Sequence, residues 1–244
     1  MNSIPELVAQ LGNEDQTKVY QARLALAKTV SEATKPGNQS AQMALATALA
    51  EELVAKAGER GERYKHPGSV RNEVALYLSQ VAGDAQIPQL AAALKDLETR
   101  EMARWALQRI PSPAATAALI AALSEVGPDF LIGVINALGD RPSPDVNAAT
   151  LKAASNPDVG VRLAAIEALA KSPELSNDEP IVAVIKTTYG RNRGRAEKAR
   201  CRLADTLRLA GKKDAAVSVY KAILANDAPE PQKKAARIAL EQLT

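Results

Sequence analysis

One cysteine, one histidine, one tryptophan and one phenylalanine are spread through 244 residues, and aromatic residues make up only 3% of the chain. The lone thiol, Cys201, excludes an intramolecular disulfide framework and any zinc site built from cysteines. The lone imidazole, His66 in GERYKHPG, has no second histidine for a metal pair or a relay and is read as a solvated loop residue. GERGER at 58–63 lacks the lysine and hydroxyl of a phosphate loop. No stretch approaches the roughly 18 apolar residues that a membrane helix needs. The opening MNSIPELVAQLGNED has neither the basic start nor the apolar run of a secretory signal, so a soluble, cytoplasmic chain is expected. These gaps leave little chemistry from which to build an active site, and no catalytic residue, metal ligand or cofactor is assigned.

What fills the chain is alanine and leucine. Hydrophobic residues reach 46%, ample for a core, and with so few aromatics that core favours close-packed helices over sheets. The most informative stretch is DVGVRLAAIEAL from Asp158 to Leu169. Val161, Ala164, Ala165, Ala168 and Leu169 make one stripe at helical spacing after an Asn-Pro-Asp turn. The pattern recurs as REMARWAL to Leu107, FLIGVINAL to Leu138 and KKAARIAL to Leu240, with weaker copies ending at Leu26, Leu78 and Leu207. Successive anchor leucines from Leu26 to Leu240 are 52, 29, 31, 31, 38 and 33 residues apart. A period of that order with two helices per unit marks a helical solenoid.

Each anchored helix has a preceding partner. The partners are expected over Ile4–Leu11, Ser40–Ala57, Ala85–Lys95, Ala114–Ser124, Pro144–Ala154, Glu179–Tyr189 and Asp214–Ala225, with Ser3 and Glu6 forming a capping box on the first. About seven helix pairs then occupy nearly the whole chain, and a single all-α domain over 1–244 is expected.

The stretch from Asp158 to Leu169 resembles the second helix of a HEAT repeat of the bacterial, phycobilin-lyase-related kind. Val70-Arg71 with the following GDAQIPQL fits the same consensus, as does Met102–Leu107 followed by Pro111. The resemblance covers most of the chain, is strongest over Val70–Lys171, and gives way toward the C-terminus to a tetratricopeptide-like LRLAGKKDAAVSVYKAIL. It implies an α-α superhelix used for protein binding. It also implies a chromophore-chaperone alternative, which rests on the repeat resemblance alone. The di-iron hydroxylases among HEAT proteins need several His-Glu pairs, and His66-Pro67 does not supply them.

Charge is the one site-like feature. The net charge is only +3, yet Lys186 to Lys213 holds ten basic residues against Glu197 and Asp205, a local +8 that leaves −5 elsewhere. Arg195, Lys198 and Arg202 share a helical face, and a loop GRNRGR adds Arg191 and Arg193 beside flexible glycines. Arginine forks suit carboxylates and phosphates, so these five residues are the candidate binding set, with Asp205 placed to offset part of the face. Ordinary solvated surface is the competing account. The turns at 58–68 and 190–195 are expected on one edge of the solenoid as a binding rim.

Two smaller features remain. Arg71, Arg100, Arg162, Arg200 and Lys233 stand seven residues before anchors and are read as structural, with Asp96 and Asp158 offered to Arg100 and Arg162. Cys201 falls on the polar side between Arg200 and Arg202, where cations lower a thiol pKa. The function expected from all this is a non-enzymatic scaffold for a protein partner. The alternative is a nucleic acid or phosphate ligand on the 186–213 patch, for which Trp105 and a few tyrosines are the only stacking surfaces.

Overall fold

The computed structural model describes residues 2–57 and 63–243. Among them lie fourteen α-helices: α1 (Ile4–Leu11), α2 (Gln16–Ala33), α3 (Gln39–Val54), α4 (Gly68–Val81), α5 (Ile87–Leu94), α6 (Arg100–Arg109), α7 (Pro113–Ala122), α8 (Pro128–Gly139), α9 (Pro144–Ala153), α10 (Val159–Leu169), α11 (Asp178–Lys186), α12 (Gly190–Leu209), α13 (Lys213–Ala225) and α14 (Glu230–Glu241). The protein is all-α, built from helix pairs of the solenoid type. No described helix is long and apolar enough to cross a membrane.

Helix ends follow local chemistry. Ser3 accepts from the Glu6 amide and Glu6 returns a bond to the Ser3 amide, which closes the expected capping box. Ser112, Ser143 and Asp158 cap α7, α9 and α10 through their side-chain oxygens. At the end of α12 the chain leaves through Gly211 at φ 76°, where Lys212 N donates to the Leu207 carbonyl and Gly211 N to that of Arg208. That pair of bonds needs a left-handed residue, which glycine supplies without a Cβ clash.

Packing contacts gather into two compact units, Met1–Val126 and Gly127–Thr244. In the first, α1 pairs with α2, α3 with α4 and α5 with α6. First helices stack in the order α1, α3, α5, α7, and second helices in the order α2, α4, α6. In the second unit, α9 pairs with α10, α11 with α12 and α13 with α14, while α8, α10, α12 and α14 stack as second helices. The unit boundary falls between α7 and α8, two helices that the repeat spacing assigns to one pair.

The anchors Leu26, Leu78, Leu107, Leu138, Leu169 and Leu207 are all buried, and Leu240 is half-buried against the core of the second unit. Small residues set the layer spacing. A Cβ on Gly139 would stand 3.0 Å from Ala168 Cβ and 3.2 Å from its Cα, so α8 and α10 meet at backbone distance. Helix α10 buries Leu163 and Ile166 besides its alanine stripe, which puts it at the centre of its unit.

Three elements differ from expectation. Helix α11, expected to reach Tyr189, stops at Lys186, and Tyr189 becomes the N-cap of α12. The first helix of the second pair was expected to reach Ala57 but stops at Val54. Ala55 turns extended, and Lys56–Ala57 (β1) pairs antiparallel with Arg63–Tyr64 (β2), in register Lys56↔Tyr64 and Ala57↔Arg63. The rest of GERGER, residues 58–62, lies outside the described residues. The third difference is GRNRGR, expected as a loop over 190–195. It forms the first turns of α12, entered through Gly190 at φ 54°. The rim reading therefore loses its second long turn.

Leu138→Ala should destabilise the protein by roughly 2–5 kcal/mol, because the anchor is fully enclosed. Urea unfolding of the variant measures this, and a loss below about 1 kcal/mol would contradict the anchor role.

Candidate functional site

The sequence of α12 alternates two kinds of position. Ala196, Ala199, Leu203, Ala204 and Leu207 are buried. Arg191, Lys198 and Arg202 fall together on the opposite face and are exposed. Seven residues on from Arg202, at the same angular position, stands Leu209, and Tyr189 precedes the helix at its N-cap.

Most of the local positive charge is neutralised inside the fold. Arg195 lays its fork on Glu167 of α10, at 2.9 and 3.0 Å. Arg193 donates to the Asp227 carbonyl and carboxylate and lies 3.7 Å from Glu197. Arg200, nearly buried, forks onto Asp178 at 2.7 and 2.8 Å and ties α12 to the start of α11. Arg208 stands 3.8 Å from Asp205, and Lys212 bonds the Pro173 carbonyl and Glu174. Asp205 also accepts from the Tyr220 hydroxyl at 2.6 Å, so it does not offset Arg202 as expected. Arg191, Lys198 and Arg202 have no ion-pair partner among the described residues. The five candidates thus divide: Arg193 and Arg195 are held internally, and the other three remain available.

Beside Arg202 is a hollow of about 70 Å³ lined by Asn136, Gly139, Glu167, Ala168 and Lys171. Lys171 is taken by Asp140 at 2.6 Å. The hollow has room for a few waters and is well short of the several hundred Å³ typical of a cofactor site. A wider groove of about 600 Å³ runs along α9 and the turn before α11, lined by Pro142, Pro144, Asn147, Leu151, Pro173 and Glu174 among others.

Cys201 does not stand among cations as its neighbours in sequence imply. It packs half-buried on the core of its unit. Burial pushes its thiol up to about 11, with the nearby Asp205 and Glu197 adding to the rise.

The structure also assembles a charged cluster that sequence reasoning missed, in the first unit. His66, expected to be solvated, is buried, with Nε2 2.5 Å from Glu52 Oε2, and Lys65 bonds the same carboxylate. The Tyr64 ring is held between Lys56, 3.2 Å from its centroid, and Arg71, at 3.7 Å. Arg71, 2% exposed, reaches across to Asp96 and Glu98 before α6. Asp96 therefore serves Arg71 of the preceding pair. Arg162 donates to the carbonyls of Asn156 and Pro157, while Asp158 caps the helix. The structural account of the arginines seven before the anchors holds for Arg71, Arg162 and Arg200, with partners partly redistributed. A repeated spacing of one histidine and scattered acids gave no signal for the Glu52–His66 contact, because the β1–β2 hairpin that creates it breaks the repeat.

No protein-family model matches the chain, and no curated protein matches it either. Among solved structures, the complex of CpcE and CpcF of phycocyanin lyase from Nostoc sp. PCC7120 is similar at 19% identity, covering 100% of this chain and 96% of the other, with a TM-score of 0.43. An engineered protein is similar at 20% identity over 100% and 97% of the two chains, with a TM-score of 0.33. Human deoxyhypusine hydroxylase is similar at 15% identity over 96% and 98%, with a TM-score of 0.32. At such identities and TM-scores these likenesses carry no functional argument, and the HEAT resemblance stays a reading of the residues.

Two outcomes follow from the environments of Cys201 and Glu52. Native Cys201 should react with iodoacetamide at pH 8 roughly 100-fold more slowly than in the urea-unfolded chain, since so little of it is thiolate; equal rates would contradict its burial. Burial alone would raise the Glu52 carboxyl, but bonds from His66 and Lys65 outweigh it and hold it below its ordinary value of 4.5. A depressed folded pKa contributes stability above the unfolded pKa that disappears as pH falls through the folded one. Glu52→Gln should therefore flatten the loss of thermal stability below about pH 4.5, and an unchanged acid profile would remove Glu52 from the account.

Proposed function

We propose that this protein is a non-enzymatic interaction module that takes an acidic protein partner on the second-helix face of its second unit. One observation carries the reading: Arg191, Lys198 and Arg202 lie along one exposed face of α12 with no ion-pair partner among the described residues, while Arg193, Arg195, Arg200, Arg208 and Lys212 are paired, Arg208 with the Asp205 of that face. A helix that only needed a solvated face would have its surplus spread around it. Here the neutralised cations lie toward neighbouring elements, and the remainder form one line.

Magnitudes favour a protein over a nucleic acid. Three phosphate contacts give a salt slope of only about −2 to −3, against 6–10 contacts in proteins that live by backbone binding. Stacking surfaces are equally sparse, since Tyr220 and Phe130 are buried and Tyr189 is the exposed aromatic of this unit among the described residues. Carboxylates on a protein surface suit a short line of guanidinium and ammonium groups better, with rim charges acting chiefly on encounter and register.

Triple reversal of Arg191, Lys198 and Arg202 to glutamate should weaken binding of a fluorescent hexaglutamate peptide by about tenfold or more, with thermal stability nearly unchanged because no internal partner is lost. Arg195→Glu should instead lower stability, since it sets a like charge against Glu167. Retained binding in the triple variant would return the patch to solvated surface. Tighter binding of single-stranded DNA than of the peptide would favour the nucleic-acid reading.

A further inference from the structure

The charged line on α12 does not stand alone. Tyr189, 81% exposed, and Leu209, 77% exposed, flank it at the two ends of the helix. Read in order, Tyr189 stands at the N-cap, Arg191, Lys198 and Arg202 follow on one face, and beyond Asp205, whose carboxylate is engaged by Tyr220 and Arg208, comes Leu209. From Arg191 to Leu209 the ridge runs 18 residues, about 27 Å at the helical rise. Leu209 closes α12 with a long apolar side chain left in water, two residues past the buried Leu207.

Spacing decides the shape of the occupant. Arg191 and Lys198 are seven residues apart and Lys198 and Arg202 four, so their Cα atoms are separated by about 10.5 and 6 Å along the axis. An extended strand at about 3.3 Å per residue would need steps of roughly three and two residues. Three residues on, a strand's side chain has turned to the opposite face, so it cannot serve all three cations. A helix lying along α12 can, with carboxylates at i, i+7 and i+11 when parallel, or i, i+4 and i+11 when antiparallel, all on one face.

We infer that the ridge docks an amphipathic helix of a partner protein, acidic at its centre and apolar at both ends, with Tyr189 and Leu209 as the end contacts. This rests on the reading of the ridge as an acidic-partner surface and adds to it a helical occupant in a fixed register. The end contacts explain how three exposed charges, each screened over about 8 Å at physiological salt, serve a lasting complex: apolar burial is not screened. Recognition of this kind uses spaced anchors on one helix face.

The test uses synthetic helical peptides of one composition on the full-length protein. One carries leucines at both ends and glutamates at i, i+7 and i+11, a second has them at i, i+4 and i+11, and a third is an isomer with the glutamates moved around the helix. One of the two matched peptides should bind about tenfold more tightly than the isomer. Leu209→Ser and Tyr189→Ser should each weaken that peptide severalfold and steepen the salt dependence of what remains, while hexaglutamate binding is unchanged. Equal binding of all three peptides, with the triple reversal still abolishing it, would overturn the register and leave the acidic-surface reading standing. Failure of every acidic peptide to bind would overturn both.

Discussion

The fold depends on how closely its second helices approach one another. Where α8 meets α10, glycine and alanine leave no side chain to separate the backbones, and the anchor leucines fill what space remains. Dispersion and exclusion of water at such contacts supply most of the stability of a stack whose layers touch only their neighbours. The same constraint decides which residues can point outward. With one side of a second helix such as α12 committed to alanine and leucine, its opposite side becomes a face on which long polar side chains have room. The ridge on α12 is a by-product of that geometry before it is anything else.

Guanidinium groups connect the layers where carbon does not. Arg71 spans from α4 to the turn before α6, and Arg200 from α12 to the head of α11. Both are almost wholly buried, and removing Asp178 from Arg200, or Asp96 and Glu98 together from Arg71, would strand a desolvated charge at a cost of about 3–5 kcal/mol. Arg71 also stacks on Tyr64, so one side chain joins the β1–β2 hairpin, its own helix and the next pair. Gly68 belongs to this arrangement, because a Cβ there would fall 2.7 Å from the Glu98 side chain that Arg71 engages.

What the sequence made legible follows from the period. The capping box at Ser3, six fully enclosed anchors and most helix boundaries came from apolar spacing and turn chemistry alone, since those are local or repeat in register. What it hid depends on contacts that the period does not encode. Cys201 sits between two arginines in sequence, yet a helix sends neighbours about 100° apart, so the thiol faces the core while Arg200 and Arg202 leave in other directions. His66 became buried because a hairpin folded the chain back over Glu52. GRNRGR looked like a loop for its two glycines, but its arginines favour helix, and Gly190 was needed only for the turn into it. The division of the basic set was the deepest loss. Which arginine is spent on Glu167 or Asp227 depends on acids 28 and 34 residues away.

Those internal pairs give the remaining charges their meaning. Like charges one turn apart on a helix destabilise it by about 0.2–0.5 kcal/mol per pair, and Lys198 and Arg202 are such a pair with no acid between them. Asp205, one turn beyond Arg202, is drawn off by Tyr220 and Arg208. The fold therefore keeps a small electrostatic strain on an exposed line while satisfying cations on either side of it. An opposing row of carboxylates relieves that strain on contact, and only a partner whose acids match the line relieves all of it. Shape and charge on α12 thus select for the same property, a rigid helix with carboxylates on one face, and neither alone would distinguish it from any other acidic chain.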